Sequence, residues 1–470
     1  MNLQLKNKTL SVFSLVMINV IAIDNLRSLT AGAEYGLALV FFYIVAALLF
    51  FIPTLLVTAE LATGWPNTGG VYVWVREAFG PQWGFLTIWL QWIYNVVWYP
   101  TIFTFIAGIL SYLIDPQLVN NKLYMIAVTL AAFWGTTFLN CYGLNIASWV
   151  SVLGAIIGTI FPMVLITGLG FYWVYSGHPS QIQWTWHDFF PNLTHAHNLA
   201  FLTNILFGLM GIEMSAVHAG DVRHPQRDYP RALIYSSLII LATFIFASLA
   251  ITLVVPAKEL NLVSGLIEAF AIFFQAYHLS WMVPVIAVLI ILGSISGASA
   301  WILGPARGLV MASQERGLPA VFVHENQKGI PLGILAVQGG IVTLLCTVFF
   351  FMPSVSSSYW VLSNLTAQLA LLFYIVLFAA AIRLHYKHAT VIRAYRIPGG
   401  QYGIWGVCGT GIVTCVGAII LGFIPPEQVA VGHVVYYEAI LIGGIIVCCV
   451  APFLLRTGPK KAISLELEST

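Results

Sequence analysis

Long apolar runs dominate this chain and decide what it can fold into. The run from residue 37 to 62 carries a single charged residue, Glu60. A helix of about 20 mostly apolar residues spans the hydrocarbon core of a bilayer. Only 8% of the 470 residues are charged, whereas soluble domains carry about 25%. Because so little charge cannot maintain a water-facing surface, the sequence predicts an all-α integral membrane protein.

The apolar runs predict twelve membrane spans, numbered here in chain order. Spans 1 to 6 are predicted at about 9–31, 37–62, 83–113, 122–143, 146–176 and 198–218. Spans 7 to 12 are predicted at about 231–255, 281–312, 332–352, 359–383, 403–425 and 434–455. An even number of spans places both termini on the same side of the membrane.

The positive charges indicate which side that is. Of the 19 Lys and Arg residues, all but three fall on the side of the termini. Lys122 and Lys258 fall on the opposite side, and Arg27 lies inside span 1. Since Lys and Arg favour cytoplasmic loops, we expect a multi-pass protein of the inner or plasma membrane with both termini in the cytoplasm. Span 1 then acts as a retained anchor, although a cleaved signal peptide is an alternative explanation of its N-terminal pattern.

Two spans are interrupted by residues that do not favour a continuous apolar helix. Span 1 contains Asp24, Asn25 and Arg27, and span 6 contains Gly208 and Gly211. Interruptions at matching places in two halves indicate an inverted repeat with a substrate site near the middle of the membrane. We therefore predict a single membrane domain over 1–470, with repeats at about 9–176 and 198–383 and extra helices at about 403–455.

Four collinear motifs resemble the amino acid–polyamine–organocation (APC) superfamily of transporters. They are "ELATGWPNTGGVYVWVREAFGP", "FGLMGIEMSAVHAGDVRHPQRDYPRA", "WILGPARGLVMASQERGLPAVF" and "YRIPGG". The details "AEYG", "ELATGWP" and "GIEMSA" are similar to the glutamate/GABA antiporter branch. The resemblance covers about residues 8–455.

This resemblance implies a LeuT-type fold with a five-plus-five inverted repeat and alternating access. It implies an amino acid bound between broken spans 1 and 6, with spans 3, 8 and 10 closing the site. Two departures stand out. The superfamily often has a Gly-Ser-Gly-type turn in span 1, where this chain reads Ala22-Ile23-Asp24-Asn25. The acid-resistance antiporter of this branch carries a long C-terminal plug, whereas few residues follow Leu455, so we do not expect the same autoinhibition.

The interruption of span 1 supplies five candidate substrate contacts. They are Ile23, Asp24, Asn25, Leu26 and Arg27. A charge at mid-bilayer is costly, and one that persists usually faces a cavity or a partner. Asp24 and Arg27 could form a self-neutralising structural pair, since residues three apart are neighbours on an intact helix. Alternatively, the break exposes backbone N–H groups to a substrate carboxylate, with Asp24 at a substrate ammonium and Arg27 at an acidic group.

Span 6 supplies a candidate for proton coupling as well as substrate contacts. The substrate candidates are Phe207, Gly208, Gly211 and Ile212. Glu213 follows directly, and a buried carboxylate there could take up and release protons. The structural alternative is a hydrogen-bonded bracket to the backbone of span 1. His218 is predicted to be a packing residue.

Polar and aromatic residues of spans 3, 8 and 10 complete the predicted substrate site. They are Asn95, Trp98, Tyr99, Ser296, Trp301, Asn364 and Gln368. Trp301 is the best gate candidate. Each aromatic ring could instead be core filler or part of a lipid-facing belt, and each polar residue could bond only to a neighbouring helix.

Charged residues near the inner ends of the spans are candidates for gating ion pairs. They are Arg76 with Glu77, Asp221 with Arg223 and Arg227, and Glu60. The alternative is that these charges are solvated and only mark the topology.

Signatures of enzymes are absent from the sequence. The chain has no Walker A run and no Gly-x-Ser-x-Gly elbow, and its six cysteines lie in apolar runs without metal-ligand spacing. We therefore expect no cofactor, no metal and no nucleic acid partner, and we predict an amino acid exchanger, monomeric or homodimeric, in the lipid bilayer. A symporter of amino acids or polyamines coupled to protons is the alternative within transport. An amino-acid-sensing receptor and an integral-membrane enzyme are alternatives from other classes.

Overall fold

The protein is a helical bundle throughout the part that the computed structural model describes. These residues are 10–66, 69–141, 154, 156–191, 199–222, 224–256, 259–314 and 319–455. They form no strand, and their one isolated bridge joins Leu10, just before α1, to Val222, just after the 3₁₀ helix of span 6. The predicted all-α membrane architecture is confirmed.

Sixteen helices position the sites discussed below. In the first half of the chain they are α1 (Val12–Ile23), α2 (Arg27–Ala33), α3 (Gly36–Gly64), α4 (Val71–Phe79), α5 (Pro81–Ile114), α6 (Lys122–Cys141), α7 (Ile156–Tyr175) and α8 (Trp186–Phe189). In the second half they are α9 (Leu202–Gly208), α10 (Pro225–Val254), α11 (Gly265–Ala276), α12 (Met282–Gln314), α13 (Leu332–Phe351), α14 (Val355–Lys387), α15 (Gly400–Gly422) and α16 (Val434–Leu454). A 3₁₀ helix at Ile212–Asp221 follows α9.

The observed helices follow the predicted spans closely. Within the described ranges, 10 helices are long and apolar enough to cross a membrane, and the bent pair α1 and α2 makes an eleventh span. α9 and the 3₁₀ helix after it occupy the position of predicted span 6. The beginning of predicted span 5, at 146–153, lies outside the described residues.

The predicted break in span 1 is confirmed. α1 ends at Ile23, α2 begins at Arg27, and the two helices meet at an angle of 67°. The Asn25 side chain stabilises both new helix ends. Its amide nitrogen donates to the Ile23 carbonyl over 3.0 Å, and its oxygen accepts from the Ser28 backbone N–H over 3.0 Å. An asparagine side chain thus replaces two of the backbone bonds that the break removes.

The predicted break in span 6 is also confirmed. α9 ends at Gly208, and the chain turns at Gly211, whose φ of 115° lies in the left-handed region that favours glycine. The Gly211 backbone N–H, which loses its helical acceptor there, donates to the Tyr374 hydroxyl over 2.8 Å. A side chain of α14 therefore fixes the break.

A wide π-helical turn interrupts α3, and another forms the beginning of α7. They lie at Ala47–Phe51 and Ile156–Ile160, and each is followed at the second position by a proline, Pro53 or Pro162. Proline cannot donate to the preceding turn and its ring crowds the carbonyl there, so a widened turn relieves the clash without ending the helix.

The central and peripheral helices differ strongly in burial. About 72% of the most apolar window of α5 is buried, and the same fraction holds for α14, so both lie inside the bundle. The corresponding fraction is 28% for α15 and 11% for α16. α15 and α16 therefore leave most of their surface for lipid.

Candidate functional site

The central cavity lies where the breaks of spans 1 and 6 meet. Its volume is about 120 Å³, close to that of a cavity of about 150 Å³ that admits benzene. Four groups of residues line it: Ile21 to Arg27 from span 1; Tyr94, Asn95, Trp98 and Ile102 from α5; Phe207, Met210 and Gly211 from span 6; and Thr159 with Gly293, Ser294, Gly297, Ala298 and Trp301 from α7 and α12. A small molecule of a few heavy atoms fits this space.

Asp24 presents the carboxylate of the cavity. Its side chain is only 5% exposed, and the Thr243 hydroxyl of α10 lies 3.1 and 3.2 Å from its two oxygens. That hydroxyl also lies 2.9 Å from the Ile239 and Ile240 carbonyls, which compete for its single proton. The carboxylate is therefore incompletely satisfied by protein donors, and a ligand ammonium could complete it.

Arg27 presents the guanidinium of the cavity. Its Nη1 donates to the Ser363 hydroxyl over 3.2 Å and lies 3.4 Å from the Tyr359 hydroxyl. The ring of Phe207 covers the guanidinium at 5.3 Å from its centroid. Its buried Nε has no hydrogen-bond partner within the described ranges. Neutral hydroxyls and an aromatic face hold this cation in place and leave its charge unneutralised.

The two charges of the cavity do not form an ion pair with each other. Among the described residues, none of the ion pairs within 4.0 Å joins Asp24 to Arg27. The self-neutralising pair left open above is therefore wrong. The reason is the break itself, because the geometry that makes residues three apart neighbours exists only in a continuous helix.

One face of α5 forms a wall of the cavity. Asn95 and Trp98, both predicted as substrate contacts, line it together with Tyr94 and Ile102. These last two lie four residues either side of Trp98, so helical spacing from Trp98 was the signal that could have found them. Predicted Tyr99 does not line the cavity. Its hydroxyl donates to the Trp301 carbonyl over 2.9 Å and joins α5 to α12.

α12 forms the opposite wall, and small residues make it concave. Trp301 lines the cavity, and its ring meets that of Trp98 edge-on at 6.4 Å. The other lining positions of α12 lie three, four, seven and eight residues before Trp301, all on one helical face. Predicted Ser296 lies five residues before it, about 140° around the helix. The Ser296 side chain faces Gly154 instead, since a Cβ added to Gly154 would lie 2.8 Å from the Ser296 Oγ.

Backbone contact between α7 and α12 supports this wall. A Cβ added to Gly158 would lie 2.4 Å from the Gly293 Cα, so neither position has room for a side chain. Thr159 and Gly293 both line the cavity directly beside this contact. Glycines therefore set how closely the two helices approach behind the site.

The residues of span 6 divide between the cavity and its support. Phe207 and Gly211 line the cavity as predicted contacts, and Met210 joins them. Gly208 and Ile212 do not line it. Gly208 faces Ser28 of α2, and Ile212 is completely buried at the start of the 3₁₀ helix.

Glu213 lies just behind the break and is 2% exposed. The Tyr374 hydroxyl donates to its Oε2 over 2.6 Å while accepting from the Gly211 N–H. Its buried Oε1 has no partner in the part of the chain described. The bracket that holds Glu213 thus runs to α14, not to the backbone of span 1 as the structural alternative supposed.

Two predicted contacts on α14 face α15 and α16 instead of the cavity. Asn364 donates to the Gly422 carbonyl and to the Tyr437 hydroxyl, and Gln368 donates to the Ile419 carbonyl over 3.1 Å. Neither lines the cavity. Ser363, one residue earlier than Asn364 and about 100° around the helix, is the residue that faces Arg27.

The candidates for gating ion pairs have different outcomes. Arg76 and Glu77 lie 3.7 Å apart and are both about one-third exposed. Glu60 is 3% exposed and pairs with Arg393 through its Oε1, so it is not a solvated loop charge. The side chains of His218 and Asp221 and the whole of Arg223 lie outside the described residues.

The comparisons with known proteins agree with this geometry. The model of a family described as amino acid permease matches residues 8–446. The chain belongs to the amino acid permease family. The permease is therefore a transporter of the APC superfamily, as the motifs predicted, and this family contains transporters rather than enzymes.

Relatives of the permease match over most of their length. It is 54% identical to an uncharacterised transporter of Legionella pneumophila over 98% of this chain and 99% of the relative. It is 30% identical to a glutamate/gamma-aminobutyrate antiporter of Lactococcus lactis, over 96% of this chain and 91% of the relative. It is 24% identical to a probable agmatine/putrescine antiporter of the same species, over 83% of each chain.

A solved structure matches the fold of the permease. A mutant of the manganese transporter of Eremococcus coleocola aligns with a TM-score of 0.58 and 13% identity over 97% of this chain and 98% of that one. The similarity concerns the fold alone, and it supports the LeuT-type arrangement with broken spans 1 and 6.

Proposed function

We propose that the permease exchanges zwitterionic amino acids across the cell membrane by alternating access, with the substrate held between the breaks of spans 1 and 6. The observation that carries this proposal is that two opposite charges line the same cavity without forming an ion pair with each other. Asp24 and Arg27 both line one small cavity. The two Asp24 oxygens share the single Thr243 hydroxyl, and the Arg27 Nε has no partner among the described residues.

A zwitterion satisfies both charges at once. Its ammonium group would lie against the Asp24 carboxylate, which the Thr243 hydroxyl satisfies only in part. Its carboxylate would lie against Arg27, whose planar guanidinium suits bidentate binding of a carboxylate. Because buried unpaired charges are costly, binding removes a penalty that the empty site carries.

The charge balance and size of the cavity favour short amino acids. A diamine would neutralise Asp24 but place its second ammonium near Arg27, and a dicarboxylate would place its second acid near Asp24. The volume of about 120 Å³ suits a small neutral amino acid or an ω-amino acid of similar length. GABA, one of the two amino acids in the name of the Lactococcus lactis antiporter, is an ω-amino acid of this kind, whereas glutamate carries the second acid that this charge balance disfavours.

Glu213 is the proposed proton-coupling residue. Its carboxylate shares the Tyr374 hydroxyl with the backbone N–H of Gly211, which lines the cavity. Protonation of Glu213 would turn an acceptor into a donor and alter the partner of Tyr374. The change would thus reach the break of span 6 through one hydroxyl group.

Reconstituted vesicles test the proposal. Purified protein in liposomes is expected to take up labelled GABA or alanine only when the vesicles are preloaded with an amino acid. Uptake into empty vesicles that follows an imposed pH gradient would instead identify a proton-coupled symporter. Absence of amino acid uptake under both conditions would contradict the proposal.

A proton-coupled amine transporter is the second candidate. It is favoured by the Asp24 carboxylate in the cavity and by the agmatine/putrescine antiporter among the relatives. A competition panel of the twenty amino acids, GABA and putrescine separates the two: zwitterions should compete under the first proposal and putrescine under the second. We also propose the orientation given by the positive charges, with cytoplasmic termini, which protease access to terminal tags in intact cells would check.

A further inference from the structure

A second cavity lies among the loops on the side opposite the chain termini, and we call it the outer cavity. Its volume is about 680 Å³. Glu34 and Tyr35 line it directly after α2, Trp186, Asp188 and Phe190 line it from α8 and the residue after it, and Gln428 lines it from the loop between α15 and α16. No function assigned above uses this space.

Glu34 is the feature of the outer cavity that calls for a ligand. Its side chain lines the cavity although the residue is only 7% exposed. Its buried Oε2 has no hydrogen-bond partner among the described residues, and none of the ion pairs within them includes it. A buried acceptor without a donor is rare in folded proteins and costs about 1–3 kcal/mol.

The other walls select the chemistry of that ligand. The rings of Trp186 and Phe190 stack at 6.4 Å with 22° between their planes, and Tyr35 adds a third aromatic residue. Asp188 contributes a second carboxylate, 3.7 Å from the His187 ring, which also lines the cavity. Of the described residues, no Lys or Arg belongs to the lining. Carboxylates beside aromatic faces favour a cation over an anion.

The same residues favour an organic cation over a metal ion. The described part of the chain contains no group of three or more His, Cys, Asp or Glu residues that could hold a metal. A metal ion would use only the oxygens and leave the aromatic faces without a role. An alkylammonium ion uses both, because its charge meets the carboxylate and its alkyl groups meet the rings.

We infer that the outer cavity is a binding site for an organic ammonium ion, with the charged head against Glu34 and the alkyl groups against Trp186 and Phe190. The site is separate from the central cavity. Glu34 lies seven positions after Arg27, which is about 10 Å along the helix. The inference therefore does not depend on the proposed exchange of amino acids.

Ligand-observed NMR on the purified full-length protein tests this site with choline as the probe. The neutral isostere 3,3-dimethyl-1-butanol is the matched ligand control, since it has the same shape without the charge. We expect choline to bind and the alcohol not to bind. Equal binding of the two would overturn the inference, because the cavity would then recognise only apolar shape.

Variants assign the binding to the outer cavity. Glu34→Gln should weaken choline binding at least about tenfold, by loss of the charge that the cation meets. Glu259→Gln, at an exposed carboxylate on the same side of the bundle, and Asp24→Asn, in the central cavity, should leave it unchanged. Unchanged binding in Glu34→Gln, or loss in Asp24→Asn instead, would contradict the assignment. Trp186→Ala provides a second test that leaves the core intact, since Trp186 is 80% exposed, and it should weaken binding several-fold.

The pH dependence of choline binding adds an independent readout. Burial raises the pKa of Glu34 to about 8, so the carboxyl is mostly neutral at about pH 6 and mostly ionised at about pH 9. Affinity should therefore rise about tenfold per unit up to about pH 8 and then level off. Besides Tyr35, the other titratable groups that line the cavity are His187 and Asp188. The rise should persist in His187→Gln and vanish in Glu34→Gln.

Discussion

Two buried acid–base sets in this permease have opposite designs. On the side of the chain termini, Glu60 of α3 and Arg393 are 3% and 7% exposed and contact each other directly; we call them the inner pair. In the central cavity, Asp24 and Arg27 are 5% and 3% exposed but have separate partners. Each set combines a carboxylate with an arginine at similar burial, and the two sets differ in whether the charges contact each other.

The inner pair makes further bonds, and only the Arg393 Nε, like that of Arg27, has no partner among the described residues. Glu60 accepts from the Ile397 backbone N–H over 2.8 Å, and Arg393 donates to the Leu384 and His388 carbonyls over 2.8 and 3.1 Å. The Arg393 guanidinium also lies over the Trp65 ring at 5.2 Å. These contacts fasten the segment after α14 to the inner end of α3.

The contrast shows how to separate structural from functional charge in a membrane interior. A buried acid and base that neutralise each other form a structural ion pair that holds two segments together. Removing one partner leaves an uncompensated buried charge. A buried acid and base that face a cavity without touching are available to an outside molecule. Three predictions test this distinction, in decreasing order of expected effect.

Breaking the inner pair should cause the largest loss of stability. Arg393→Met leaves Glu60 without its counter-charge, and the free energy of unfolding should fall by about 3–5 kcal/mol. Thermal denaturation of detergent-purified protein would measure this loss as a lower melting temperature. The double variant Glu60→Leu, Arg393→Met should regain most of the stability. Arg396 is an exposed arginine nearby. A loss of stability no larger than that of Arg396→Gln would show that the inner pair does not stabilise the fold.

Neutralising either charge of the central cavity should remove transport rather than stability. Arg27→Gln and Asp24→Asn each delete a charged partner of the proposed substrate, worth about 1.5–3 kcal/mol, so exchange should fall about 10- to 100-fold. Arg27→Lys should recover only part of it, because Lys lacks the planar fork. Exchange in liposomes would be measured beside thermal stability, with Arg396→Gln as the control. Mild and equal effects of all these variants would argue against substrate contact.

Removing the hydroxyl at the break of span 6 should have the smallest effect. Tyr374→Phe deletes the group that accepts from Gly211 and donates to Glu213. A net hydrogen bond contributes about 1 kcal/mol, so exchange should slow a few-fold. Exchange rates at several pH values would also show a flattened pH dependence if Glu213 couples protons. A profile identical to wild type in shape and size would separate Tyr374 from the mechanism.

The spans and both breaks were predictable because they depend on local chemistry. About twenty apolar residues need a bilayer, and a buried Asp–Asn pair or two close glycines weaken a helix wherever they occur. α11 was missed, since its 12 residues are too short to span a membrane and carry no such local signal. The pairing of Glu60 with Arg393 was also missed, because nothing local connects residues 333 positions apart.

Sequence indicated which helices form the candidate site, but not reliably which residues of each helix face it. Asp24, Arg27, Trp98 and Trp301 line the cavity, whereas Asn364 and Gln368 lie on a face that α15 covers. A polar residue inside a span needs some partner, but sequence does not show whether that partner is a substrate or a helix. The partner depends on how α14 is rotated about its axis in the bundle. Successive residues point about 100° apart, so an error of one position is enough to misplace a side chain.

The contact between Gly158 and Gly293 determines what kind of movement can widen the central cavity. Side chains elsewhere can yield by changing rotamers, but two backbones in contact have no rotamers to change. α7 and α12 can therefore slide along each other or separate only as whole helices, which is the shear type of motion. Access to the substrate from that side must come from rigid-body displacement of helices.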